Sequence, residues 1–155
     1  MNHIKADLNS NPKSYRVAIV VSLFNIEVTK ELLDGALSRL LELGVSAENI
    51  LIIEVPGAVE IPLALRRVLQ SQDFAAAIAL GAVIRGETSH YEYVCHQVSH
   101  GVQLVSLELD IPIVFGVLTT ENLEQAFDRL GGAHGHKGKD SADTVIAMLD
   151  VFARL

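Results

Sequence analysis

The sequence predicts an α/β fold in three layers, with helices covering both faces of a four-stranded parallel sheet. Two observations predict it. Four runs, 16–23 (RVAIVVSL), 50–55, 75–83 and 111–118, are almost wholly aliphatic and do not alternate with polar residues. A strand buried on both faces reads this way. Helical periodicity fills the gaps between the runs, and alternation of strand and helix implies parallel pairing through right-handed crossovers. The 155 residues suit one domain, since domains cluster near ~100–150 residues.

Residues 1–14 are polar and contain Asn, Ser, Pro and Lys. They read as a flexible N-terminal arm ahead of a single domain spanning 15–155. After the first strand, Val28, Leu32, Leu33, Ala36, Leu37, Leu40 and Leu41 make one helical face, and Gly44 stops it. A second helix covers 63–69, with Pro62 tolerated in its first turn. Tyr91, Val94, Cys95, Val98, Val102 and Val105 mark a third. Leu123, Ala126, Phe127 and Leu130 mark a fourth, closed by Gly131-Gly132. Ala142, Val145, Ile146, Leu149 and Phe152 mark a fifth, with Asp140 as its expected N-cap.

Composition removes several classes of function. Twelve Lys and Arg face nineteen Asp and Glu, a net charge of −7. A chain of that sign is repelled by phosphate backbones and anionic lipid, so neither nucleic acid nor a membrane is an expected partner. One cysteine cannot close an intrachain disulfide, which fits a reducing compartment. The first fifteen residues lack the apolar core of a signal peptide. The apolar stretch 75–84 is too short to span a bilayer. The expectation is a small cytoplasmic protein.

In an open parallel sheet, ligands bind beyond the carboxyl ends of the strands. Segments 22–25, 55–60, 83–90 and 115–121 are therefore expected on one rim. Phe24 ends the first strand, where its ring could stack on a flat heterocycle or cover the core. Pro56-Gly57-Ala58 makes a tight helix entry that brings backbone N–H groups close to a ligand. Glu60 beside it suits the positive end of a helix dipole, as a polyol-binding group or as ordinary cap chemistry. Ser89-His90-Tyr91-Glu92 fits a capping box, with Ser89 as N-cap and His90 in the first turn. The dipole there disfavours imidazolium, which suits His90 to proton transfer; a solvated His without a role is the competing reading. Arg129 and Lys137 flank a glycine-rich turn, 131–138, and could hold a phosphate, although no P-loop pattern is present. His96, His100, His134 and His136 raise the question of a metal. Without HExxH or a cysteine pair they read better as surface or interface residues, and no metal ligand is assigned.

Taken together and in order, these segments resemble the lumazine synthase family (6,7-dimethyl-8-ribityllumazine synthases of the riboflavin pathway). The likeness runs from about Arg16 to the C-terminus. It rests on Phe24-Asn25, VPGAVEIP at 55–62, GAVIRGETSHYEYV at 81–94, FGVLTTEN at 115–122, Arg129 and Lys137-Gly138. The resemblance implies a flavodoxin-like doubly wound sheet. It implies condensation of 5-amino-6-(D-ribitylamino)uracil with 3,4-dihydroxy-2-butanone 4-phosphate, with loss of phosphate and water. No cofactor is implied. The substrate's own amine attacks, so proximity, proton transfer and phosphate binding can supply the catalysis.

Residue roles follow from the resemblance alone. Phe24 would stack on the pyrimidine. Ala58, Val59 and Glu60 would hold the ribityl side, and Ala82, Val83 and Ile84 would present backbone to the uracil. Glu87 and Thr88 would receive the phosphate, and His90 would move protons. Phe115 and Arg129 would come from a neighbouring subunit, with Lys137 as phosphate support. The family forms homo-oligomers of pentamers, sometimes decamers or icosahedral shells, which would account for a chain that is 50% hydrophobic. The arm resembles the segment that crosses onto a neighbour's sheet, and riboflavin synthase is a candidate partner. Ala133 and His136 stand where many relatives carry Lys and Asn, so one cation near the phosphate is missing. The short turn before the last helix resembles that of shell-forming relatives. The rival reading is a non-catalytic cage protein that binds a flavin or lumazine.

Overall fold

The computed structural model describes residues 1–8 and 11–155. Residues 9 and 10 of the expected arm lie outside the described residues. The chain runs β1 (Val17–Ser22), α1 (Ile26–Glu42), β2 (Ile50–Val55), α2 (Ile61–Ser71), β3 (Ala76–Ile84) and α3 (His90–Leu109). It continues through β4 (Ile113–Thr120), α4 (Leu123–Asp128), β5 (Leu130–Gly132), β6 (Gly135–His136) and α5 (Lys137–Ala153). The first four strands form one sheet in the order β2-β1-β3-β4, and every pair in it is parallel. This is the predicted three-layer α/β/α arrangement in a flavodoxin-like order.

Strand periodicity divides the core in two. Val17, Ile19, Val21, Ile78, Leu80 and Leu118 face α1 and α5, where they meet Leu32, Leu40, Val145 and Ile146. Ala18, Val20, Ala77, Ala79 and Val117 face α2 and α3, where they meet Ile61, Leu65, Val98 and Val102. Because β1 and β3 are buried on both sides, they carry no polar alternation. β1 is central, with β2 on one side and β3 on the other. The chain therefore reverses direction across the sheet at the ends of β1 and β3, which opens a crevice there.

Three element ends differ from expectation, each for a tertiary reason. α4 stops at Asp128, and Gly131-Gly132 belongs to an antiparallel hairpin with β6. Gly131 (φ 108°) and Gly135 (φ 72°) adopt left-handed conformations that few other residues tolerate. Asp140 is not the N-cap of α5. The helix begins at Lys137 with His136 as N-cap, and Asp140 lies inside its first turn. The early start brings Gly138 onto the backbone of α1, where a Cβ would stand 2.2 Å from the Leu32 carbonyl oxygen. Lastly, β4 runs through Thr120, so Phe115 sits opposite Ala79 within the sheet instead of on the rim.

Residues of the N-terminal segment touch the end of α5. The Asp7 N–H donates to Asp150 Oδ2 at 3.2 Å, and Arg154 donates to the Lys5 carbonyl. No helix among the described residues is long and apolar enough to cross a membrane.

Candidate active site

The ends of β1, β2 and β3 and the start of α3 enclose a cleft of about 650 Å³. Phe24 stands at its mouth. Its N–H donates to the Pro56 carbonyl at 3.1 Å, prolonging the β1–β2 ladder beyond the strands. The ring is 71% exposed, which excludes the reading that it covers the core. Asn25 next to it is left-handed (φ 58°) and caps α1 without a side-chain bond to that helix. Its Nδ2 donates instead to the Ala82 carbonyl at 2.9 Å, tying the β1 loop to β3.

The second wall comes from the turn after β2. Gly57 is the position that lets Glu60 close over the turn, since a Cβ there would meet Glu60 Oε2 at 2.9 Å. Ala58 is buried, Val59 half-buried and Glu60 exposed, and all three line the cleft. Ala82, Val83 and Ile84 form its floor at the end of β3. Thr88 and His90 complete it from the loop and the first turn of α3. The His90 N–H donates to Thr88 Oγ1 at 3.3 Å, and the His90 side chain is exposed to solvent. Glu87 is exposed in the same loop, outside the lining of the cleft.

Sequence reasoning overlooked four lining residues: Tyr91, Tyr93, Val94 and Gln97. By periodicity Tyr91 and Val94 read as core positions of the third helix. The available signal was helical spacing, because residues three, four and seven beyond His90 share its face. Cys95 lies one turn beyond Tyr91. Burial pushes its thiol up, which argues against an activated nucleophile there.

The expected capping box does not form. Ser89 is the N-cap residue, but its side chain bonds no backbone N–H of α3. The Glu92 carboxylate is taken by Arg85 instead. That hydrogen bond holds the Glu92 carboxyl below its ordinary range.

Arg129 and Lys137 are absent from this cleft. They line a second one, of about 380 Å³, with Val117, Leu118, Thr119, His134 and Asp140. Among the described residues, none lines both clefts. Arg129 Nη1 donates to the Gln125 carbonyl at 2.9 Å, which leaves further N–H groups of the guanidinium to face a ligand. The hairpin beside it is closed by Asp128, which pairs with His134 and accepts from the Ala133 N–H at 3.0 Å. His134, first, holds the Asp128 carboxyl below its ordinary range. His136 packs against Gly35 of α1, where a Cβ would stand 2.1 Å from its ring. His96 and His100 stack on the outer side of α3, with ring centroids 5.9 Å apart.

Comparison with known proteins identifies a family. Residues 14–153 match the family model for 6,7-dimethyl-8-ribityllumazine synthase. A protein of that name from Coxiella burnetii is 55% identical over 142 residues, covering 92% of this chain and 94% of its own length. One from Pediococcus pentosaceus is 48% identical over 141 residues, covering 91% and 90%. One from Protochlamydia amoebophila is 44% identical over 155 residues, covering 100% and 89%. A fold whose strand ends converge on an aromatic, a carboxylate and a first-turn histidine, and a match across nearly its whole length, lead to one conclusion: the chain belongs to the 6,7-dimethyl-8-ribityllumazine synthase family, the transferases that form dimethylribityllumazine in riboflavin biosynthesis.

Proposed function

We propose that the cleft seats 5-amino-6-(D-ribitylamino)uracil and joins it to 3,4-dihydroxy-2-butanone 4-phosphate. The pyrimidine stacks on Phe24, with Ala82, Val83 and Ile84 presenting backbone to its edge. Ala58, Val59 and Glu60 hold the ribityl chain. Thr88 and the backbone of Glu87 receive the phosphate beside the start of α3, where N–H groups and the helix dipole favour an anion. The uracil's amine attacks the ketone, and water leaves as the imine forms. Elimination then breaks the C–O bond to phosphate, and ring closure expels a second water. His90 carries protons between these steps. Holding the reactants together supplies much of the rate, since effective molarities of oriented groups reach ~10⁵ M or more.

The observation that carries this reading is the separation of the two clefts. One has the aromatic and the proton carrier, and the other has Arg129 and Lys137. In a homo-oligomer, the second cleft of a neighbouring chain completes the first. Pentamers, alone or stacked or assembled into an icosahedral shell, supply such pairs. The domain 15–155 is then the assembling unit, and the arm of residues 1–14 reaches a neighbour. The setting is the cytoplasm, and riboflavin synthase, which would consume the product, is the candidate partner.

Phe24→Ala tests the stacking role. It is expected to weaken binding of the uracil substrate by about 0.5–1.5 kcal/mol beyond lost contact area, with the butanone phosphate little affected. Calorimetric titration with each substrate alone measures both. Equal weakening of the two would mean that the cleft itself had collapsed.

A further inference from the structure

Arg85 lies one residue beyond β3, at the start of the loop that carries Glu87, Thr88 and His90. Its backbone N–H donates to the Thr120 carbonyl at 2.9 Å, extending the β3–β4 ladder by one step. Each nitrogen of its guanidinium has a carboxylate partner. Nε donates to Glu121 Oε2 at 2.5 Å, with Nη2 at 3.4 Å from Oε1 of the same carboxylate. Nη1 donates to Glu92 in the first turn of α3. Its Cζ lies over the Tyr91 ring, 4.3 Å from the centroid.

This arrangement joins three places: the end of β3, the loop after β4 and the first turn of α3. The Arg85–Glu92 contact closes the intervening loop upon itself, across seven residues. Among the described residues, the Arg85–Tyr91 ring contact is the other link across it. Ser89 makes no side-chain cap, and Gly86 has no neighbour within 4 Å of where a Cβ would stand. Both carboxylates and the guanidinium remain partly open to solvent. Exposed ion pairs add little stability one by one. A planar fork that also stacks on a ring fixes geometry, however, and a lysine cannot reproduce it.

From this geometry we infer that Arg85 is a positioning residue for the reaction, holding the 86–90 loop so that Thr88 and His90 face the bound substrates. It touches neither substrate and acts through Glu92, Glu121 and Tyr91. The inference rests on the functional reading above. It also accounts for Glu92, which a capping box would have used differently.

The test compares wild type with Arg85→Lys and Glu121→Gln in the two-substrate assay, with amide hydrogen exchange of residues 86–90 measured on the same proteins. Arg85→Lys keeps the charge and loses the fork and the stacking. It is expected to lower kcat by about 10–10²-fold, the scale of a misplaced reacting group, with uracil-substrate affinity within about 2-fold. Exchange of the 86–90 amides should become faster in Arg85→Lys and, to a smaller degree, in Glu121→Gln, while the buried amides of β1 and β3 stay protected. An Arg85→Lys enzyme with wild-type kcat and unchanged exchange would overturn the inference and leave the reaction assignment intact. If Arg85→Lys restores kcat fully although exchange rises, Arg85 acts by charge alone and the positioning role is refuted. An inactive wild type would instead refute the reaction assignment, and exchange in the 86–90 loop would still decide whether Arg85 holds it. If Arg85→Lys fails to fold, Glu121→Gln decides alone: faster loop exchange and lower kcat support the clamp, and wild-type behaviour contradicts it.

Discussion

Replacing His90 with alanine is expected to lower turnover by about 10²–10⁴-fold, the range spanned by general acid–base catalysis. Binding of the ribitylaminouracil should change little, because the stacking and backbone contacts assigned to it come from β1, β2 and β3. The prediction follows from where the ring sits. It occupies the first turn of α3, faces the cleft and is open to solvent, so it can exchange protons with both the bound substrates and water. Single-turnover kinetics with saturating substrates, together with titration of the uracil substrate alone, separate the two effects. If affinity collapsed while turnover per bound complex held, His90 would be a binding residue instead.

Arg129→Ala should raise the apparent KM for the butanone phosphate by roughly 10- to 150-fold, which corresponds to losing a charge-assisted contact of about 1.5–3 kcal/mol. An unchanged KM would remove Arg129 from the site. The same variant tests whether sites are shared. Arg129 and His90 line different clefts of one chain. If a working site takes His90 from one subunit and Arg129 from the next, subunits carrying His90→Ala and Arg129→Ala complement each other. Random co-assembly in equal amounts would make roughly a quarter of the sites wild type at both positions. A mixed oligomer no more active than the average of its two parents would mean that each chain serves its own site.

Much of the fold could be read from the residues, because its strands are buried on both faces. Val17 to Val21 and Ala76 to Leu80 are nearly inaccessible, and that burial is what makes their sequences uniformly apolar. Element ends were less legible, since packing between distant segments decides them. Gly138 reads as part of a flexible turn, yet it is a contact point at which α5 lies on the backbone of α1. Glu92 fits a capping pattern, yet Arg85 and not the helix end takes its carboxylate. Local pattern cannot foresee a competitor seven residues away.

The candidate site shows the same division. Phe24, Glu60 and His90 lie at strand or helix ends, where the rule for parallel sheets directs attention, and all three line the cleft. Tyr93 and Gln97 lie deeper along α3 and read as ordinary solvent-facing helix positions. Phe115 carried no positional signal that could separate mid-strand from rim, because β4 continues through Thr119 and Thr120, two residues past its expected end.

The most direct test is to mix purified protein with both substrates and follow lumazine absorbance and phosphate release together. Both are expected to appear, one phosphate for each lumazine, without added metal or cofactor. If a uracil analogue binds in the cleft while neither product nor phosphate forms at any pH, the chain holds its ligand without transforming it, which contradicts a catalytic role.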